Sequence, residues 1–155
     1  MIKKKIIIIN GPNVNKIGIR EPKIYGNVDI NNYLKKLKIK YLKIYKIYIK
    51  IYNYNSESKI IDNFYNKIYK KNILGLIINA GAFSHTSLAI SDAIKIINNE
   101  NNIIEVHVSN ILNREKIRNK SLISPFTNGV IIGLGLLSYE IAIISLLKIN
   151  NLNKF

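Results

Sequence analysis

Cysteine is missing from this chain, so no disulfide framework and no thiolate metal site can be built from it. That absence suits a reducing cytosol, and the expected location is cytoplasmic. Acidic residues are scarce: nine Asp and Glu stand against 24 Lys and Arg, a formal charge of +15. Such a balance raises the question of nucleic acid. The lysines, however, are spread through Lys35–Lys71 and both termini and interleaved with Ile, Asn and Tyr, with no Arg-rich stripe. A solvated basic surface, useful at most for attracting an anionic substrate, is the expected reading, and no nucleic-acid partner is expected. Isoleucine, lysine and asparagine, all with A- and T-rich codons, dominate the composition, as drift in an AT-rich genome would produce.

Long uninterrupted apolar runs are also lacking. The opening Met-Ile-Lys-Lys-Lys and its isoleucines stop at Asn10-Gly-Pro, short of the about 7–15 apolar residues of a signal core. Val130–Leu147 is broken by Gly133, Gly135, Ser138 and Glu140, which predicts a strand, a turn and a buried helix in place of a membrane span of about 20 residues. At 155 residues, with no internal repeat and no Pro- or Ser-rich linker, the whole of residues 1–155 is expected to form one catalytic domain. A chain of this size buries roughly 70% of its unfolded surface.

What is present is a recurring pattern. Ile6–Ile9 runs into Asn10-Gly-Pro-Asn13, Leu74–Ile78 runs into Asn79-Ala-Gly-Ala-Phe-Ser-His-Thr-Ser87, and Ile103–Val108 runs into Ser109-Asn110. Each reads as a buried parallel strand that stops at polar residues. In open α/β sheets ligands sit at those carboxyl ends, so three loaded strand ends predict one active-site crevice and an enzyme. The expected strands are Lys5–Asn10, Ile47–Tyr52, Leu74–Asn79, Ile103–Ser109 and Gly129–Ile132. Between them, a helix follows Asp29 as N-cap, with Ile30, Tyr33, Leu34, Leu37 and Tyr41 on its inner face. Another follows Ser56, with Ile60, Ile61, Phe64 and Ile68 inward. Further helices are expected at Thr86–Asn98, Arg114–Asn119 and Leu136–Lys148. Strands alternating with helices predict a flavodoxin-like three-layer α/β sandwich with a five-stranded parallel sheet of order 2-1-3-4-5.

The candidate chemistry lies on few residues. Glu105 and His107, two apart on a strand, leave the same face, and a carboxylate beside an imidazole fixes its tautomer and favours a proton on it. Taken alone, the pair could equally be an ordinary ion pair, and His85 after the third strand a structural histidine. The loop Gly11–Gly26 exceeds the about 2–6 residues usual for such a connection and is a candidate lid. It carries Asn13, Arg20, Glu21 and Tyr25, and a nearby cation can turn a phenol toward a usable base. Asn10-Gly-Pro-Asn13 is no phosphate loop, which weakens a nucleotide cofactor, and no His and carboxylate spacing suggests a metal.

Together these segments resemble the type II 3-dehydroquinate dehydratases. The pieces are Ile9–Asn15, Arg20–Gly26, Ile77–Ser87 with Asp92, Ile104–Ile111, Arg114–Arg118, Ser124-Pro125 and Gly129–Gly135. They occur in the family's order along nearly the whole chain. The resemblance implies anti elimination of water from 3-dehydroquinate to give 3-dehydroshikimate, without metal or cofactor. It implies that Tyr25, as tyrosinate, removes the C2 proton with help from the charge of Arg20 and Arg114, and that Asn13 holds a water that stabilises the enolate. His107, positioned by Glu105, would protonate the departing C1 hydroxyl. Ser109 and the Val108 backbone would hold the substrate carboxylate, and Asn79, His85 and Arg118 the ring hydroxyls. Asp92 would reach a neighbouring subunit's site, because the family assembles as a homododecamer, a tetramer of trimers.

The chain departs from the family's common residues at Asn53, Tyr54, Tyr65, Phe83, Lys120 and Leu122, which bears on packing and contacts more than on chemistry. The same reaction also serves quinate breakdown. Two other readings compete: a flavin binder of similar fold, for which Gly-Pro-Asn is a poor phosphate loop, and a non-catalytic basic descendant, which would have lost the Arg20/Tyr25 and Glu105/His107 pairs.

Overall fold

The computed structural model describes residues 4–19, 28–67, 72–99 and 101–152. Arg20, Glu21, Tyr25 and the second half of the expected lid lie outside the described residues, as does Ile68. Five parallel strands form one sheet: β1 (Lys5–Asn10), β2 (Tyr48–Asn53), β3 (Ile73–Asn79), β4 (Ile103–His107) and β5 (Gly129–Ile132). Their order is β2-β1-β3-β4-β5, as the alternation of elements predicts. Helices α1 (Ile30–Tyr45) and α5 (Leu137–Ile149) cover one face. The other face is covered by α2 (Glu57–Lys67) and α4 (Leu88–Ile97), with the single turn α3 (Phe83–Thr86) ahead of α4.

The isoleucine-rich strands work because both faces are buried. On β1, Ile6 and Ile8 enter the core under α1 and α5, while Ile7 and Ile9 enter the core under α2 and α4. The period of two therefore needs no polar alternation here, since a parallel sheet covered on both sides has no wet face. In α1 the inner stripe is Ile30, Leu34, Leu37 and Tyr41, with Tyr33 only half-buried at its margin. Asp29 caps that helix by accepting from the Asn31 N–H at 2.8 Å. In α2, Ile60 and Phe64 are buried and Ile61 is half-buried.

Several boundaries differ from the expected ones. The helix expected at Thr86–Asn98 is two pieces, because Ser87 leaves helical geometry and caps α4, its Oγ accepting from the Ile90 N–H at 3.0 Å. No helix forms at Arg114–Asn119. A 3-10 turn at Ile111–Asn113, capped by Asn110, precedes an isolated turn in which the Arg118 N–H reaches the Glu115 carbonyl. Six residues cannot repay the cost of helix nucleation without a packed face. Strand β4 stops at His107, two residues short of the expected end; beyond the last β5 pair the Gly133 N–H still reaches His107 O, and the Gly135 N–H from the glycine turn reaches Val108 O. Ile47 lies just outside β2, its N–H held by the Tyr41 carbonyl at the end of α1. The Val130–Leu147 stretch divides into β5, a glycine turn and α5, and no helix among the described residues is long and apolar enough to cross a membrane.

Candidate active site

A cavity opens over the carboxyl ends of β1, β3 and β4. It is lined by Asn13, Asn79, His85, His107, Val108, Ser109, Arg114 and Arg118, all expected from the sequence, and also by Pro12, Val14, Ile17, Gly81, Ala82 and Ile111. Register brings the strand ends level: Asn10 pairs with Asn79, and Ile78 pairs with Glu105. The loop after β1 crosses that edge very closely. A Cβ on Gly11 would stand 2.0 Å from the Ala80 carbonyl oxygen, so only glycine lets the two strand ends exit side by side. Asn13 then takes left-handed geometry at φ 63°, which asparagine tolerates better than most residues, and stands exposed at the rim.

The acid candidate is held from beneath. Glu105 is 0% exposed and His107 5% exposed, and His107 Nε2 donates to Glu105 Oε1 across 2.6 Å. Ser121 Oγ accepts the N–H groups of Ile123 and Ser124, so its own hydrogen is directed to Glu105 Oε1 at 2.6 Å. Ser124 Oγ donates to Glu105 Oε2. Three donors thus converge on one buried carboxylate, the pairing that such a group needs out of water. With Nε2 committed to Glu105, His107 has Nδ1 left for proton exchange. The sequence points to Glu105 and His107 through their spacing. Neither Ser121 nor the contact of Ser124 with Glu105 is legible there, since hydroxyls 16 and 19 residues away carry no local signal.

His85, on α3, stacks 6.2 Å from the His107 ring, and its Nδ1 donates to the Lys120 carbonyl at 2.6 Å. That leaves Nε2 as an acceptor in the neutral ring. The unusual Lys120 and Leu122 serve here through their backbones: Leu122 N–H bonds to Ser84 O, and Leu122 O accepts from Ser91 Oγ. Side-chain changes at these two positions therefore leave the local frame in place. At the other rim, Glu115 takes Arg114 Nε at 3.3 Å and Arg118 Nη1, which fixes two guanidiniums beside the cavity. Its own backbone N–H, followed by the two arginines, holds the Glu115 carboxyl below the usual range.

Asp92 does not line this cavity; it stands on the exposed side of α4, between exposed Leu88 and Ile96. The base candidate Tyr25 and its cation Arg20 lie outside the described residues. Chemically, the arrangement offers a buried carboxylate–imidazole pair, two cations and neutral hydrogen-bonding groups around one opening. Such a site can bind a small polyhydroxylated anion and exchange a proton with it.

The family model described as dehydroquinase class II matches residues 4–147. A 3-dehydroquinate dehydratase of Caldicellulosiruptor bescii is 43% identical over 146 residues, covering 94% of this chain and 98% of that protein. One from Buchnera aphidicola subsp. Baizongia pistaciae is 46% identical over 143 residues, covering 92% and 90%. Among solved structures, the type II dehydroquinase from Butyrivibrio crossotus superposes with a TM-score of 0.85 at 41% identity, covering 92% of this chain and 97% of that one.

Proposed function

The chain belongs to the dehydroquinase class II family and is a 3-dehydroquinate dehydratase, a hydro-lyase of the shikimate pathway, and we propose that Tyr25 and His107 divide its chemistry as base and acid. Tyr25, as tyrosinate with help from the charge of Arg20, takes the C2 proton, and the C2–H electrons pass into an enolate at the C3 carbonyl. Arg114 adds its positive charge to that assistance, and a water held by Asn13 stabilises the enolate oxygen. The enolate then expels the C1 hydroxyl, which leaves as water with a proton from His107, and the C1–C2 double bond of 3-dehydroshikimate forms. Glu105 keeps the His107 ring oriented for that transfer. Ser109 and the Val108 backbone bind the substrate carboxylate, and Asn79, His85 and Arg118 bind the ring hydroxyls.

The observation that carries this reading is the Glu105–His107 pair, buried at its root and opening into a cavity flanked by Arg114 and Arg118. The test is turnover of single variants. Tyr25→Phe removes only the phenolic oxygen and His107→Ala only the acid, so each is expected to lose at least about 10²-fold in kcat, the usual scale for a general acid or base. KM is expected to move far less. A Tyr25→Phe enzyme with near-normal kcat would refute the tyrosinate role. The double variant is expected to be little worse than the poorer single one, because the two groups act on one elimination.

The same proposal includes one catalytic domain, a cytoplasmic location and a homododecamer in which Asp92 reaches a neighbouring subunit's cavity. Support for assembly comes from α4, where exposed Leu88 and Ile96 flank Asp92 at helical spacing on the side turned away from the core.

A further inference from the structure

Three asparagines stand abreast at the carboxyl ends of neighbouring strands. Asn53, Asn10 and Asn79 are register partners across β2, β1 and β3. Strand alternation places Asn10 on the same face as Ile6 and Ile8, and Asn79 on the same face as Ile77, under α1 and α5. From the first turn of α5, the fully buried Tyr139 reaches between two of them. Its hydroxyl donates to Asn10 Oδ1 at 2.8 Å and accepts from Asn79 Nδ2 at 2.8 Å, while Asn10 Nδ2 donates to Asn53 Oδ1 at 3.1 Å.

The direction of this chain is anchored at its far end, where the Gly81 backbone N–H can only donate, and it runs consistently from there. Asn10 gives an N–H to Asn53 and turns its carbonyl oxygen to Tyr139. A phenol has one proton, and that proton goes to Asn10. Asn79 can therefore meet Tyr139 only with an N–H. From its other side, Asn79 Oδ1 accepts the Gly81 N–H at 3.3 Å, in a turn where Gly81 sits at φ +59°. Both contacts demand the same amide orientation. Asn79 also lines the cavity, with a second N–H and a second Oδ1 lone pair not used by these two contacts.

We propose that Tyr139 is a positioning residue for substrate binding: it locks the Asn79 amide in the orientation that the substrate meets, with Asn10 and Asn53 continuing the same polarity. The inference rests on Asn79 being a substrate contact of the dehydratase. Without the hydroxyl, only the long Gly81 contact of 3.3 Å is left to hold the Asn79 amide, and part of the bound population meets a donor where an acceptor is needed. The loss falls on ground-state binding and not on the proton transfers at Tyr25 and His107.

The experiment is steady-state turnover of 3-dehydroquinate by wild type, Tyr139→Phe, Asn79→Ala and the double variant. Tyr139→Phe is expected to raise KM roughly tenfold, the weight of about one neutral hydrogen bond, with kcat within about threefold of wild type. In the Asn79→Ala background, Tyr139→Phe is expected to change KM by no more than about twofold, because its effect passes through Asn79. Exposed Asn53 supplies a second route if Tyr139→Phe does not fold. Asn53→Leu removes the acceptor that orients Asn10 and is expected to raise KM, whereas Asn53→Asp keeps an acceptor and retains the wild-type KM. An unchanged KM in Tyr139→Phe, or an equal rise in the presence and absence of the Asn79 side chain, overturns the proposal. Wild type run alongside separates the two readings: no turnover at all would instead sink the dehydratase assignment.

Discussion

At the residue scale, the buried Glu105 carboxylate gathers one partner from its own strand and two hydroxyls from a distant loop. Glu105 and His107 share a face because a strand repeats every two residues, so their pairing follows from spacing. Ser121 and Tyr139 act on the site from 16 and 60 residues away, and only the folded chain brings them to Glu105 and Asn79. Tyr139 also carries a prediction about pH. Burial pushes its phenol above the ordinary value of 10.0, against a smaller opposing effect of the Asn79 hydrogen bond. The folded state thus holds the proton more tightly than the unfolded chain, so the stabilisation is complete below the unfolded value and declines as pH rises past it toward the folded value. Urea midpoints measured from about pH 9 to about pH 11 are expected to fall, and to fall less steeply in Tyr139→Phe. Parallel slopes for the two proteins would contradict this.

At the element scale, the five strands and the two sheet-covering faces follow from apolar runs that stop at Asn and Gly, and these are found where the runs predict them. The misplaced elements are short ones. Arg114–Arg118 has charges at helical spacing, yet its Glu115 serves the two arginines at the cavity rim and no core face supports a helix there. Thr86 and Ser87 look alike as helix starters, and the choice of Ser87 depends on the turn Phe83–Thr86 packing ahead of it. Because the Ser87 cap is buried, water cannot replace it. Ser87→Ala is expected to destabilise the fold by about 1 kcal/mol or somewhat more, read as a lower urea midpoint, with little change in kcat. An unaltered midpoint would remove the cap from the account of this boundary.

At the scale of the whole molecule, the sheet gathers functional groups from both of its faces onto one edge. Glu105 and His107 leave β4 on the parity of Ile103, toward the α2 and α4 side, whereas Asn79 leaves β3 toward α1 and α5. The cavity straddles that edge, so a bound ring can be met from opposite sides, as an anti elimination requires. The charge of +15 fits attraction of an anionic substrate and demands no nucleic acid. The exposed Leu88–Asp92–Ile96 stripe predicts association, and light scattering at micromolar concentration is expected to give a mass well above a dimer; a monomer there would contradict the dodecamer and the role given to Asp92. The central claim is the reaction itself, and it is tested most directly by ultraviolet absorbance of purified protein mixed with 3-dehydroquinate. The account predicts a steady rise from the conjugated enone of 3-dehydroshikimate, abolished in His107→Ala. A flat trace with folded wild-type protein, or an equal rise in the variant, would contradict it.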